Sequence, residues 1–478
     1  MAANTDSGAG AGEIAAGVAP PKVYGKGRTT WTLGLLCLIY ANNFADRSIL
    51  TVLAHPIKMD LKIDDTQLGL LTGLAFSVFY ALFGYPLARL SDKVGRINII
   101  MCCGLMWSAM TLLCGTAVNF IQLLIYRFGV GIGESGYAAP GHALLSDYFP
   151  PRTRTSAIAI FSMGVPIGAL FGAIAGGWLA QHYGWREAFI FVSIPGFILA
   201  PLLKFTVKEP PRGNWDASRL AGKPIESPPP LWTVLKKQFS TPTFTHACIA
   251  TVVAQFAISS TAFLGTYYVR RFELDLTTLG IVLGVLSGVA SIVGTLGGGF
   301  ISDWFAKFSK SWYAGLPALA LALAAPLHIL GYLQADWRVQ VAYLAVSGAL
   351  VSVYSVPFYG MTQNLIPARM RASGAAVIFF LINLLGLGFG PVFWGFVIDK
   401  STQALFAAHG MGEYFATCGK GVLQVADAAV AKACHDSLSE ATRWTLAASA
   451  LGMLWASLHF YISSRTAARD LTEAERAN

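Results

Sequence analysis

"YAAPGHALLSDYFPPRTRTS" (Tyr137–Ser156) and "YSVPFYGMTQNLIPARMRAS" (Tyr354–Ser373) align without gaps at an offset of 217 residues. The register pairs Tyr137 with Tyr354, Pro140 with Pro357, Pro150 with Pro367, Arg152 with Arg369, Arg154 with Arg371 and Ser156 with Ser373. A second pair, "ARLSD" (Ala88–Asp92) and "GFISD" (Gly299–Asp303), falls earlier in each half. One unit therefore occurs twice. Between the copies lies "EPPRGNWDASRLAGKPIESPPP" (Glu209–Pro230), Pro-rich and polar, which reads as a loop.

The repeated unit is made of membrane-spanning helices. Of 478 residues, 55% are hydrophobic and only 12% charged, and the mean hydropathy is +0.56. Soluble domains carry about twice that charged fraction. Apolar windows long enough to cross a bilayer predict twelve spans, at about 31–53, 68–90, 97–116, 119–141, 155–180, 187–207, 243–269, 277–300, 314–333, 338–362, 369–397 and 441–464. The expected fold is an all-α polytopic membrane protein of two six-helix halves. Residues 1–30 read as a disordered tail, 31–208 as the first half, 209–242 as the linker, 243–464 as the second half with a long external loop over 398–440, and 465–478 as a second tail. "LWTVLKKQFS" (Leu231–Ser240) is apolar on one face and basic on the other, as a helix lying along a membrane surface would be. A duplicated six-helix unit around a central linker is the organisation of alternating-access transporters.

Charge sets the orientation. Placing both termini on one side gives that side 22 of the 34 Lys and Arg residues, the other side ten, and leaves Arg47 and Arg127 within the membrane. Both termini are thus expected in the cytoplasm, with the chain in a cell inner membrane. That bias accounts for the net charge of +9 without a nucleic-acid partner. The N-terminus lacks the basic start and apolar core of a signal peptide. Of seven cysteines, Cys37, Cys102, Cys103, Cys114 and Cys248 fall in predicted spans and read as core. Cys418 and Cys434 share the exported loop, where a disulfide is the expectation. Neither spacing gives a metal site. No cofactor or enzyme chemistry is expected: the Gly-rich "GVGIGESG" (Gly129–Gly136) lies inside a span, without the strand and turn a nucleotide loop needs. His142, at the end of span 4, reads as a locally bonded side chain. The chain is expected to act as a monomer in the bilayer.

Four charges sit where the bilayer should be deepest. "LIYANNFADRSIL" (Leu38–Leu50) puts Asn42, Asn43, Asp46 and Arg47 in span 1, and "YRFGVGIGESGYAAPG" (Tyr126–Gly141) puts Arg127 and Glu134 in span 4. Each charge costs roughly 2.5–3.5 kcal/mol at a helix centre, so four unpaired ones would cost on the order of 10–14 kcal/mol. They should therefore pair around a polar cavity. Arg127 and Glu134 are two helical turns apart and share a face. The available pairings are Asp46–Arg127 with Arg47–Glu134, or the exchange of partners. The arginines read as an anion site and the carboxylates as proton carriers.

"ARLSDKVGR" (Ala88–Arg96) resembles the loop motif of the major facilitator superfamily, with Ala88 in place of its usual glycine. The resemblance implies a cytoplasmic gate built on Asp92, Gly95 and Arg96, echoed by Asp303. "NNFADRSIL", "RFGVGIGESGYAAP" and "SDYFPPRTRTSAIAIFSMGVPIGALFG" resemble the spinster branch, best over about 42–177. Spinster proteins carry lysophospholipids, sphingosine phosphate and related amphiphilic anions, and their functional charges match Asp46, Arg47, Arg127 and Glu134. Sugar-acid and other anion:cation symporters share the same four charges. "GALFGAIAGG" (Gly168–Gly177) resembles an antiporter motif whose proline is Ala173 here. In span 5, Gly164, Gly168, Gly172 and Gly176 form one smooth face for close helix approach.

The second half has the more apolar cavity-facing helices. Its few polar groups, Gln255, Tyr267, Tyr268, Tyr354, Tyr359, Asn364 and Asn383, are candidates to orient a ligand, together with Tyr137 from the first half. One charged wall and one aromatic wall suit an amphiphile with an anionic head. The expected function is proton-coupled secondary transport of amphiphilic organic anions such as lysophospholipids. A symporter of small carboxylates is the same-fold alternative, and a non-transporting membrane receptor is the alternative from another class.

Overall fold

The structure is a computed structural model that describes residues 20–215, 230–367, 370–419 and 427–477. Ten helical stretches among these are long and apolar enough to cross a membrane. They are Asp65–Val94 (span 2), Arg96–Cys114 (3), Arg152–Tyr183 (5), Trp185–Thr206 (6), Pro242–Phe272 (7), Leu276–Ala306 (8), Trp312–Tyr332 (9), Trp337–Asn364 (10), Ser373–Ala408 (11) and Ala428–Arg476 (12). Lys26–Leu61 is span 1, and Phe120–Ser135 continued by Ala138–Tyr148 is span 4. These two complete the expected twelve. They fall outside the apolar set because they carry the buried charges, and span 4 is broken at Gly136.

Several boundaries differ from the hydropathy reading. Span 1 starts at Lys26, inside the expected tail, and the last helix runs on through the other tail to Ala477. The segment 398–440, expected as a loop, is helical to Ala408 and again from Ala428, with a short helix Tyr414–Cys418 between. Polar side chains end an apolar window, but the Ala-rich backbone here keeps its helical hydrogen bonds. Cys418 and Cys434 are disulfide-bonded, with 5.9 Å between their Cα atoms. The stretch 420–426 and most of the linker, 216–229, lie outside the described residues. Leu231–Phe239 is the expected linker helix; Val234 is buried against Ile366 and Met370, while Trp232 is exposed.

Glycine decides the close approaches. Span 5 lies on span 1 along its four-residue stripe. A Cβ at Gly168 would come within 2.1 Å of the Ala41 carbonyl oxygen, and one at Gly172 within 2.4 Å of the Ala45 Cα. Gly176 packs on Ile49 in the same row, so the stripe fixes the rotation and depth of Asp46 and Arg47. The stretch Gly129–Gly136 does likewise for span 4: Gly131 lies against the Phe76 backbone of span 2 and Gly133 against Trp107 of span 3. The Gly-rich run is a packing surface.

The halves meet on the face opposite the termini. There Gly69 of span 2 lies against the Pro391 carbonyl, Gly177 of span 5 against Leu276, Gly395 of span 11 against Asp65 and Gly265 of span 7 against Thr51. An added Cβ at each would come within 2.2 Å of a backbone oxygen across the interface. Spans 8 and 11 each carry a π-helical stretch, Val285–Val289 and Ile382–Gly388, an irregularity common at functional sites. Large apolar side chains such as Phe171, Ile198, Phe300 and Leu451 are exposed on the outer surface, as lipid contact requires.

Gly168→Val should lower the melting temperature in detergent by an amount equivalent to about 1–3 kcal/mol of overpacking, or more. Gly34→Val, where an added Cβ meets nothing within 4 Å, should leave it nearly unchanged.

Candidate functional site

The four intramembrane charges come together between spans 1 and 4. Arg47 donates from Nε to Glu134 Oε2 at 2.6 Å, a pair from the first of the two open pairings. Its guanidinium also sits 4.3 Å from the ring centre of Phe76, 4.7 Å from Phe44 and 4.9 Å from Tyr80. An aromatic cage of this kind stabilises a cation while leaving its edge free for hydrogen bonds. Arg47 keeps 20% of its side chain exposed, whereas Glu134 is fully buried.

The Asp46–Arg127 pair of that arrangement is not formed. No ion pair joins Asp46 to Arg127 among the described residues; Asp46 Oδ2 instead accepts a hydrogen bond from the Thr111 hydroxyl of span 3. Arg127 is 2% exposed and leaves its Nε and Nη1 without a hydrogen-bond partner, 5.7 Å above Phe76. Asp46 Oδ1, Glu134 Oε1 and Asn43 Nδ2 are likewise buried and unpartnered. Unsatisfied buried polar atoms are costly, and a cluster of them marks a place where something polar binds. The site therefore presents a guanidinium with free donors beside two carboxylates with free oxygens. Anion recognition and proton exchange both need such groups.

The remaining candidates divide into those near this cavity and those packed away from it. Asn42 is half-buried and packs against Gly196 of span 6. Tyr40 lies within electrostatic reach of Arg47, Glu134 and Tyr80 in the first half and of Tyr359 on span 10 of the second half. Tyr359 stacks on Phe379 at 5.3 Å. Asn383 stands in the π-helical stretch of span 11 and donates to the Phe379 carbonyl at 2.8 Å, and Gln255 packs beside Gly386 of the same stretch. Tyr137 donates its hydroxyl to the Leu36 carbonyl inside an aromatic stack with Tyr40, Trp107 and Phe161, so it braces span 1 from behind. Tyr354 belongs to the second-half core beside Phe460. Tyr267 accepts from Gln340 at 3.2 Å and packs with Tyr268, Phe272 and Tyr332. These three tyrosines sit behind the wall, because helical phase alone does not tell an inward ring from one facing a neighbouring helix. Asn364 is exposed, and His142 packs edge-on against Phe161.

On the face that carries the termini, Arg96 pairs with Asp147 and donates its backbone N–H to Glu209 at 2.8 Å. Gly95 takes a φ of +100°, which favours glycine, and a Cβ there would also meet Glu209. Asp92 and Asp303, expected as gate residues, are both exposed and form no ion pair among the described residues. That face is not latched by them in this conformation.

A second ion cluster, unforeseen in the sequence reading, closes the opposite face. Asp65 at the start of span 2 is fully buried between Lys58 (2.6 Å) of span 1 and Arg270 (3.2 Å) of span 7. Reciprocally, Asp399 of span 11 accepts from the backbone N–H groups of Asp65 (3.1 Å) and Thr66 (2.8 Å), capping the first-half helix from the second half. Beside it lies a cavity of about 230 Å³, lined by His55, Arg270, Tyr414, His435 and the disulfide Cys418–Cys434. In sequence these charges look like ordinary residues flanking the ends of spans; only their convergence reveals the latch.

Comparison with known proteins agrees with this geometry. Residues 36–410 match the family model of the Major Facilitator Superfamily, and the chain belongs to that family. It is a multi-pass membrane transporter of the spinster-like branch. A solved bacterial homolog of the human lysosomal transporter spinster, inward-facing and unoccupied, superposes with a TM-score of 0.83 at 29% identity, covering 94% of this chain and 99% of that one. An MFS-type efflux pump of Mycolicibacterium smegmatis is 29% identical over 80% of this chain and 87% of its own. A hexuronate transporter of Bacillus subtilis is 27% identical over 75% and 85%.

Asp65→Asn leaves Lys58 and Arg270 buried with less compensation, a loss of about 3–5 kcal/mol where a buried pair is broken. With the five free cysteines replaced, a reporter cysteine at the buried interface residue Leu279 should then become labelled from the side opposite the termini. Labelling no faster than in the parent protein would show that the cluster does not hold that face shut.

Proposed function

We propose that the protein is a proton-coupled secondary transporter of amphiphilic organic anions, lysophospholipids or lipids of similar shape, working by alternating access. It would act as a monomer in a cell inner membrane with both termini in the cytoplasm, an orientation supported by the distribution of Lys and Arg. The observation that carries the reading is Arg127: a buried guanidinium with unpartnered donors, within electrostatic reach of the carboxylates of Asp46 and Glu134. An anionic head would bind Arg127 or Arg47, and its tail would lie along spans 7, 10 and 11. The closed face opposite the termini and the exposed Asp92 and Asp303 on the other support a conformation open toward the cytoplasm.

Coupling follows from electrostatics. An ionised Asp46 or Glu134 repels the ligand's anionic head, and Glu134 also holds Arg47; protonation removes the repulsion and frees that arginine. Proton and ligand binding are then linked, each shifting the other by the same free energy. The likeness to a hexuronate transporter supports a second reading, symport of small carboxylates on the same four charges. Flux of lysophospholipids and of sugar acids into liposomes holding the purified protein, measured with and without a pH gradient, separates the two. A substrate confined to sugar acids would replace the first reading with the second, and binding without flux would leave a receptor.

Asp46→Asn holds that site in its protonated form, so it should exchange substrate across the membrane but lose accumulation driven by a pH gradient. Glu134→Gln is the paired measurement, because the two carboxylates can titrate as a coupled set. Retained accumulation in both variants would rule out coupling at this site. Arg127→Lys should weaken substrate binding about tenfold or more although the charge is kept, since the planar fork of donors is lost. Equal affinity of the two proteins for every transported anion would place the headgroup elsewhere.

A further inference from the structure

We propose that Thr111 is a positioning residue for the coupling carboxylate: its hydroxyl holds Asp46 off Arg127 and leaves that guanidinium open to the ligand's anionic head. The inference rests on the proposed transport reading for its purpose, but its geometry stands apart from any substrate.

Buried hydroxyls in these spans mostly turn back onto their own helix. Ser108, one turn before Thr111, donates to the Gly104 carbonyl; Thr251, Thr362, Thr402 and Thr442 each donate to the carbonyl four residues back. Thr111 does otherwise. It is 0% exposed, and its hydroxyl reaches from span 3 to Oδ2 of Asp46 in span 1. A hydroxyl spent on a carboxylate in the membrane interior is a choice of one protonation state, because an O–H donor stabilises the ionised form over the neutral one.

The consequence for Arg127 is direct. A bare carboxylate beside a buried guanidinium would pair with it, yet Arg127 keeps Nε and Nη1 without partners, and Asp46 keeps Oδ1 free. Thr111 supplies the donor that Arg127 would otherwise give. The other charged and titratable groups facing Asp46 are Arg47 on its own span, Arg127 and Glu134 from span 4 and Cys114 from span 3. Span 5 presents Gly172 to the adjoining Ala45. The stripe that seats span 1 on span 5 therefore leaves the contact with span 3 to select the state of Asp46.

Infrared titration of the purified, full-length protein tests this without a substrate. The protonated-carboxyl band that disappears in Asp46→Asn reports the proton on Asp46. Thr111→Val removes the donor at nearly constant volume and leaves Asp46 to pair with Arg127, so the Asp46 midpoint should move to lower pH by about one unit or more, because an adjacent guanidinium favours the ionised carboxylate more strongly than a hydroxyl does; a shift to higher pH would show that Arg127 does not take Asp46 over and would overturn the inference. Thr111→Ser keeps the donor and should stay near the wild-type midpoint. An unchanged midpoint in Thr111→Val, an equal shift in both variants, or no titrating band assignable to Asp46 would overturn the inference. If Thr111→Val does not fold, Thr111→Ala is read against Thr111→Ser in its place; failure of both apolar variants to fold would also count against a role confined to Asp46. Uptake of fluorescent lysophosphatidylglycerol driven by a pH gradient is measured beside it. No uptake by the wild type with the midpoint shift intact removes the transport reading and leaves Thr111 in place; coupled uptake with an unmoved midpoint does the reverse.

Discussion

Two carboxylates and two guanidiniums in the interior of a membrane protein constrain everything around them. In a low-dielectric setting each is tolerable only if its partners are held at hydrogen-bond distance, so spans 1 and 4 must be fixed in depth and rotation. The glycine stripe of span 5 does this for span 1, and Gly131 and Gly133 do it for span 4 against spans 2 and 3. A helix packed through larger side chains could slide or roll and still bury its surface. One packed on glycine backbone cannot. The same closeness carries Arg47 into the ring of Phe44, Phe76 and Tyr80, where its charge is stabilised without using up every donor.

The charges are balanced but not fully paired. Arg47 has Glu134; Asp46 has a hydroxyl; Arg127 has the ring of Phe76 and free N–H groups. A static structural bridge would satisfy all four, since an unpaired buried charge costs several kcal/mol or so more than a paired one. Beside the charges, Tyr40 lies within electrostatic reach of Tyr359 of span 10. Stability given up here, in a fold otherwise tightly packed, is what a site that must bind and release requires.

The two membrane faces are built from opposite materials. Opposite the termini, Lys58, Asp65, Arg270 and Asp399 tie the halves together, and glycine–backbone contacts exclude water between them. At the face with the termini, Arg96, Asp147 and Glu209 tie elements within the first half only. The proposed alternating-access cycle would need the first set to come apart and a new set to form across the second face. Short, directional ion contacts suit that exchange better than a large apolar interface would, because they can be replaced by water without exposing apolar surface.

Twelve spans, the repeated sequence unit, a helix at Leu231–Phe239 and the four charges of spans 1 and 4 were all legible in the sequence. Each depends on local composition or on a period within one segment, and the bilayer makes both strict: charge is expelled and backbone must close on itself. Partners were less legible. Arg47–Glu134 was one of the pairings left open, whereas the hydroxyl of Thr111 reads as one more small polar residue in an apolar run. Nor does the chain reveal that Tyr137, Tyr267 and Tyr354 are spent on packing, or that charges far apart in sequence, Lys58, Asp65, Arg270 and Asp399, meet on one face. Those outcomes rest on the rotation of each helix and the angle between the halves. Contacts between distant segments set both, and only the tertiary structure brings those segments together.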